Sequence, residues 1–304
     1  MTPGVLVLTG PTASGKSALA LALAERFDAE IVGADSRQIY RGMPIGTAAP
    51  DAIARARVPH HLVAFLDPRE RYSAARFVAD ALLAIEEIHA RGKRAIVAGG
   101  TGFYVRALTG DVTLSSGYDP GVRDRLAREA RLHPPDVLHD WLAAIAPPRA
   151  AAIAPNDPYR VARALEVVLT SRSGAQRADA VAGQSLRARG IDYRKLLLTV
   201  PPEQLESNIA RRVDAMLTEG LLDEAERIGA DAVAADAVGY REALAYLAGW
   251  STLPELRAQL FRNTRRYAKR QATWFRTEPD LEALPAGGAF ASAVEQAGAL
   301  PGWA

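Results

Sequence analysis

The sequence predicts an α/β fold: a parallel sheet covered by helices on both faces and interrupted by a helical insertion. Three observations carry that expectation. Short unbroken apolar runs alternate with helical stretches through the first hundred residues, a further run of the same kind appears at KLLLTV (195–200), and the segment between shows no buried-strand pattern. Strands buried on both faces read as continuous apolar runs, whereas half-exposed antiparallel strands alternate.

GVLVLTG (4–10) is the first predicted strand, closed by glycine, and SALALALAERF (17–27) is the helix after a glycine-rich turn. AEIVGADS (29–36) repeats the pattern and ends in polar residues. KRAIVAGGTG (93–102) does so again, leading into a helix that carries Phe103, Val105 and Leu108. Between about 113 and 194 prolines cluster at Pro134, Pro135, Pro147, Pro148, Pro155 and Pro158 among helical runs such as VRDRLAREARL. This segment is expected to be a helical insertion (113–194) into a core formed by 1–112 and 195–304. Within it, residues 171–190 are small, polar and glycine-rich, as in a mobile connection. Beyond Pro202 every segment reads as helix. In such a fold, functional groups belong at the carboxyl ends of the strands.

Composition narrows the function. The 304 residues are 49% hydrophobic and 24% charged, ordinary for a globular protein. The absence of cysteine excludes disulfides, thiolate metal sites and a cysteine nucleophile. With neither a leader pattern after Met1 nor an apolar stretch of membrane-spanning length, a cytoplasmic location without a membrane partner is expected. The net charge of +2 hides an asymmetry. From Glu255 to Arg276 seven basic residues face one acid, a local +6 that leaves −4 for the remainder. A local anionic partner follows.

Gly10, Pro11, Thr12, Ala13, Ser14, Gly15, Lys16 and Ser17 fit G-x-x-x-x-G-K-[ST] directly between a strand and a helix. Its glycines let successive amides turn toward phosphate oxygens, and the helix that follows presents its positive end to the same anion. Lys16 adds a point charge and the Ser17 hydroxyl suits Mg²⁺. A P-loop NTPase-like core is therefore expected. A nucleotide hydrolase also needs an apolar strand ending in a magnesium-holding aspartate. Here RAIVAGGTG ends in Gly99-Gly100, and the strand-end acid is Asp35 instead. Routine ATP hydrolysis is disfavoured. The His60-His61 pair lacks ligand-spaced partners and reads as packing or hydrogen bonding near the site's floor.

On spacing alone several roles stay open. Asp35 with Gln38 fits a capping-box spacing, and Thr101 fits a helix cap. Arg211 and Arg212 are equal candidates for an anion site. Arg262, Arg266, Lys269 and Arg276 recur at helical spacing and line one side of a helix, with Leu256, Leu260, Tyr267 and Trp274 free to face the core. An almost purely basic ridge suits RNA phosphates.

GPTASGKS (10–17), DSRQIYRGMPIGTA (35–48), VPHHL (58–62), AGGTGFYVRAL (98–108), PYRVARALEV (158–167), AVGYREAL (237–244) and RRYAKRQATWF (265–275) together resemble the bacterial tRNA dimethylallyltransferases (isopentenylpyrophosphate transferases). They occur in that family's order and cover nearly the whole chain. The departures are Asp236-Ala237-Val238 before Gly239-Tyr240, and Glu242 in place of glutamine. The resemblance implies Mg²⁺ and dimethylallyl diphosphate, rather than ATP, at the phosphate loop. The acceptor it implies is the exocyclic N6 amine of the adenine immediately 3′ of the anticodon, flipped from its stack. It makes Asp35 the general base, and Lys16, the loop amides, Ser17 and Arg212 the groups on the diphosphate. It places Thr101 near the reacting base. It puts the anticodon stem-loop of tRNA against Asp35, Ser36, Arg37 and Gln38, against Arg123, and against Tyr159, Arg160, Val161, Ala162 and Arg163. Further contacts fall at Gly239, Tyr240 and Arg241, and at Arg266, Lys269 and Arg270. A monomer is expected. The rival readings are a small-molecule kinase built on the same loop and a non-catalytic RNA-binding protein.

Overall fold

The computed structural model describes residues 3–112, 114, 119–172 and 184–303. Two compact units divide the chain, one comprising Met1–Val112 with Ser185–Ala304 and the other Thr113–Gln184.

The first unit begins with β1 (Val5–Thr9), α1 (Lys16–Phe27), β2 (Ala29–Gly33), the short helices α2 (Pro44–Thr47) and α3 (Ala52–Arg57), and β3 (His60–His61). It continues through α4 (Ala74–Ala90), β4 (Arg94–Gly99) and α5 (Gly102–Thr109). The second unit holds α6 (Pro120–Leu132), α7 (Pro135–Ile145), α8 (Pro147–Ala151) and α9 (Pro158–Arg172). The chain then returns with β5 (Tyr193–Thr199), α10 (Pro202–Thr218), α11 (Leu221–Ile228), α12 (Tyr240–Leu247), α13 (Leu253–Phe275), β6 (Leu281–Pro285) and α14 (Ala289–Gly298).

All six strands are parallel, in the order β3-β2-β4-β1-β5-β6. Every residue of β1 is buried, which is why its sequence shows no alternation. On one face Leu6, Leu8, Ile96, Leu196 and Leu198 pack with Leu19, Leu23 and Phe27 of α1, with Ala293 and Ala297 of α14, and with Trp303. Helix α4 packs against β2 and β4, and Phe77 on it stacks on Tyr104 of α5 at 4.3 Å.

A second apolar cluster joins α10 to α13 to the turn after β2. Ile209, Val213, Met216, Tyr240, Leu256 and Leu260 pack there with Ile39, Tyr40 and Met43. The cluster brings these helices to the carboxyl ends of the strands. Register aligns those ends: Thr9 pairs with Gly99, Gly33 pairs with Ala98, and the Thr9 hydroxyl donates to the Gly99 carbonyl at 2.9 Å. The phosphate loop, the Asp35 turn and the Gly100-Thr101 turn are therefore neighbours. The second unit has its own core of Leu126, Leu138, Leu142, Val161 and Leu165.

Three sequence expectations change. The segment after Pro202 is not all helix, because LEALP pairs with β5 as β6; only one of its five residues is buried, so no apolar run announces it. His60 and His61 form an edge strand away from the site's floor. His61 Nε2 meets Glu30 Oε2 at 2.6 Å, and Arg91, after the carboxyl end of α4, holds the same carboxylate at 2.7 Å. The return to the core comes at Ser185 instead of 195, since the Leu186 amide donates to the Leu108 carbonyl at 2.8 Å and Leu186 is fully buried. Of the expected mobile connection, 173–183 lie outside the described residues.

Candidate active site

The phosphate loop curls because Ala13 and Gly15 adopt left-handed φ values of 63° and 92°. Such a conformation at a non-glycine residue needs outside support. The Asn208 side-chain amide of α10 supplies it, donating to the Ala13 carbonyl at 2.9 Å. Helix α1 starts at Lys16, so its positive end faces the loop. Two loop amides are already engaged: Thr12 N donates to Gln271 Oε1 at 2.8 Å and Ser14 N to the Pro11 carbonyl at 3.2 Å.

A cavity of about 330 Å³ opens beside this loop, lined among others by Thr12, Lys16, Ser17, Asp35, Arg37, Gln38, Arg212, Arg241, Tyr267 and Arg270. Two cations face it, Lys16 buried and Arg212 half-buried. Burial lowers the Lys16 ammonium to about 8; the Asp35 carboxylate opposes that shift and the Arg212 guanidinium adds to it. Burial likewise lowers the Arg212 guanidinium from its ordinary value, against the pull of Asp35. Arg212 Nη1 donates to the Thr12 hydroxyl at 2.8 Å, while its buried Nε has no hydrogen-bond partner among the described residues. Desolvated cations with a buried donor still unspent suit a multiply charged anion. Of the two neighbouring arginines Arg212 lines the cavity, whereas Arg211 is exposed and donates to Asn208 Oδ1 at 2.5 Å, which helps hold the clamp on Ala13.

Opposite these cations lies Asp35. Its Oδ1 accepts from Arg37 N at 2.9 Å, an Asx turn. Residues 36–39 form a turn, not a helix, so Asp35 is no helix cap. Thr101 stands at the N-cap of α5, but its side chain makes no capping hydrogen bond there. Its Oγ1 accepts from Ser36 N at 2.9 Å and its own amide donates to the Ala34 carbonyl at 3.2 Å, fixing the turn that carries Asp35. Tyr267, expected in the core, instead lines the cavity, where burial and the Asp35 carboxylate push its phenol above its ordinary value.

The remaining expected contacts fall into two sets. Arg37 pairs with Asp236 at 2.7 Å, and Gln38 Nε2 donates to the Thr47 and Ala48 carbonyls at 3.2 and 3.0 Å. Gly239 and Arg241 line the cavity wall, and Arg270 stands over the Tyr267 ring at 5.6 Å. Arg262, Arg266 and Lys269 are exposed on α13, as is Arg276 just after it, whereas Arg257 and Arg265 are paired with Asp214 and Glu206. In the second unit Tyr159 is exposed, Arg160 sits 3.4 Å from Asp157, Arg163 is 2.8 Å from Glu166, Ala162 is half-buried, and Arg123 lies on α6.

Two residues expected at an RNA surface are buried. Val161 belongs to the core of the second unit. Tyr240 is fully buried, with its hydroxyl 2.5 Å from Glu224 Oε1 and 3.0 Å from the Met43 carbonyl. Its ring lies where a Cβ on Gly46 would stand, so Gly46 is glycine because Tyr240 is there. Glu242, the departure from glutamine, accepts from Gly239 N at 2.7 Å and Asn263 Nδ2 at 2.6 Å, closing the start of α12. Sequence reasoning missed Gln271, Asn208 and Tyr267. A buried amide within a basic helix carries no local signal.

No cluster of three His, Cys, Asp or Glu side chains exists among the described residues that could hold a metal. The exposed Ser17 hydroxyl and the carboxylates of Asp35 and Asp236 line the cavity, and Asp236 is already paired with Arg37. Such a sparse oxygen set fits Mg²⁺, which keeps waters and takes its other ligands from phosphate oxygens.

Residues 38–278 match the model of the family described as IPP transferase. The tRNA dimethylallyltransferase of Geobacter metallireducens is 46% identical over 91% of this chain and 91% of its own. That of Bordetella parapertussis is 43% identical over 99% and 100%. Among solved structures, the tRNA isopentenylpyrophosphate transferase of Bacillus halodurans superposes with a TM-score of 0.69 at 36% identity, covering 97% of this chain and 96% of the other. A eukaryotic dimethylallyltransferase, solved acting on tRNA, gives a TM-score of 0.77 at 29% identity over 97% of this chain and 77% of its own.

Proposed function

The chain belongs to the IPP transferase family, and from that premise we propose that it transfers a dimethylallyl group from dimethylallyl diphosphate to the N6 amine of the adenine immediately 3′ of the anticodon in tRNA. The observation that carries the reading is the convergence of buried Lys16 and half-buried Arg212 with Asp35 on one cavity.

The reaction forms a bond from N6 to the allylic carbon as that carbon's bond to the diphosphate oxygen breaks. The leaving anion takes the bonding pair, and the amine loses a proton. The adenine amine is a weak nucleophile because its lone pair is delocalised into the ring, so a carboxylate placed to accept the proton lowers the barrier. Asp35 is that group in our reading, held by the Thr101–Ser36 contact and its own Asx turn. Lys16, Arg212 and the remaining loop amides stabilise the departing diphosphate, the charge that grows in the transition state. Ser17 is the residue that would hold Mg²⁺, which supplies further neutralisation of the diphosphate when bound.

Arg37, Arg241 and Arg270 surround the cavity mouth and, with exposed Arg266 and Lys269, are the proposed seat of the anticodon stem-loop. We place the Tyr159–Arg163 segment and Arg123 on the same RNA. The protein acts as a cytoplasmic monomer in this reading. Among the described residues no helix is long and apolar enough to cross a membrane. Incubation with dimethylallyl diphosphate labelled in the allyl group and with tRNA tests the proposal. Label is expected in RNA, at adenine on nucleoside mass analysis; consumption of ATP with phosphorylation of a metabolite would establish the kinase reading instead.

A further inference from the structure

We propose that Gln271 is a positioning residue that sets the distance between the two halves of the reaction, an inference that rests on the transferase reading above. Gln271 lies on α13 amid exposed arginines, yet it is itself buried. Both ends of its amide are spent on backbone groups of different loops. Oε1 accepts from Thr12 N at 2.8 Å, and Nε2 donates to the Gly100 carbonyl at 2.8 Å. A donor on one side and an acceptor on the other fix which way the amide points. Glutamate has no donor for Gly100, and lysine or arginine has no acceptor for Thr12.

What these two bonds connect gives the residue its role. Thr12 receives Arg212 on its hydroxyl, so this side of the bridge belongs to the diphosphate. Gly100 precedes Thr101, whose hydroxyl holds the Ser36 amide next to Asp35, so the other side belongs to the proton acceptor. Gln271 bridges the two loops directly, whereas the other side-chain route runs from Thr12 through Arg212 to the Gly46 carbonyl and so bypasses Gly100 and Thr101. A second observation points the same way. A Cβ on Gly100 would lie 2.4 Å from Gln271 Nε2, so the residue at 100 has no side chain because the amide occupies that space. Gln271 touches neither reacting atom in this scheme; it acts through the two loops.

The test compares Gln271→Met, which keeps length and bulk without either hydrogen bond, with Gln271→Glu, which keeps the acceptor and sets an oxygen against the Gly100 carbonyl. Single-turnover transfer at saturating donor and tRNA is measured beside donor affinity, tRNA affinity and thermal unfolding. Misplacement of reacting groups by about 1 Å costs on the order of 10²-fold. We expect each variant to slow transfer by roughly 10- to 100-fold, with both affinities within about three-fold of the parent and cooperative unfolding retained. Gly100→Ala should slow transfer comparably alone and add little in a Gln271→Ala background, because the clash it creates is then gone. Equal rates for parent and Gln271→Met overturn the role, as does a rate loss that follows weakened donor binding or a Gly100→Ala effect that simply adds. Absence of transfer by the unaltered protein overturns the transferase reading and this inference together.

Discussion

Lys16 and Asp35 follow the ends of strands that β4 keeps apart, and the Asp35 carboxylate opposes the loss of charge that burial imposes on Lys16. Two predictions belong to this pair. Asp35→Asn retains shape and loses the proposed proton acceptor, so single-turnover transfer should fall by about 10²- to 10⁴-fold. Binding of tRNA in a filter assay should stay near the parent value, and a large loss of tRNA affinity would refute that division of labour. The second prediction concerns protons. Lys16 stands at about 8 because burial disfavours its charge, and a bound diphosphate must favour that charge. Below pH 8 the free protein already carries the proton, and binding leaves it in place. Above pH 8 binding takes one up, so pyrophosphate affinity should decline as pH rises further. Calorimetry in buffers of different ionisation enthalpy, corrected for the protons that pyrophosphate itself exchanges, should read this uptake at pH 8.5 and almost none at pH 6.5. In Asp35→Asn the midpoint should move to lower pH, since the carboxylate that opposes the effect of burial is gone. Uptake of equal size at both pH values would exclude Lys16 as its source.

At the scale of elements, legibility followed burial. The strands β1, β2, β4 and β5 were readable because both their faces are covered, which forces runs such as VLVLT and AEIVG. The strands β3 and β6 were not, because a two-residue histidine pair and an exposed LEALP join the sheet through backbone bonds that leave no apolar trace. The same physics decided the site. Fixed spacing exposed the phosphate loop, and an acid after a buried strand exposed Asp35. Arg211 and Arg212 are adjacent on α10, about 100° apart, and only packing shows which of them turns inward. Helix α13 illustrates both outcomes: its basic ridge was legible, while Tyr267 and Gln271 on its inner side carry no pattern that marks them as cavity and bridge. Its exposed cations yield a prediction. Reversing charge at Arg266 and Lys269 should weaken tRNA binding at every salt concentration. It should also lower the slope of log affinity against log salt by about one for each phosphate that is no longer neutralised. An unchanged slope would remove the RNA role of this ridge and leave it a solvated face.

On the scale of the whole chain, two units with separate cores share one polypeptide, and the crossing points are firmly held on the core side. The chain leaves at Val112 and returns at Ser185. Arg187 binds Asp111 at 2.7 Å, the Leu186 amide reaches the Leu108 carbonyl, and buried Lys195 sits between Asp111 at 2.8 Å and Glu278 at 3.0 Å. Arg106 completes the set on Glu278 at 2.9 Å. Buried ion pairs of this kind specify an arrangement more surely than they stabilise it, and they fail badly when one partner is removed. Both stubs of the connection are therefore fixed by contacts that the second unit does not supply. The phosphate loop, Asp35, Arg212 and Gln271 all lie in the first unit, as do both of the apolar clusters that position them. Replacement of residues 113–184 by a short Gly/Ser linker that keeps Asp111 and Arg187 should thus give a chain that unfolds cooperatively and binds pyrophosphate like the parent. Its tRNA affinity should fall at least ~10-fold, because the proposed phosphate contacts of Tyr159, Arg160 and Arg163 go with the excised unit. Circular dichroism melting, pyrophosphate calorimetry and filter binding read the three outcomes separately. Unaltered tRNA affinity would confine the RNA to the first unit, and loss of cooperative unfolding would mean that the core depends on the insertion it encloses.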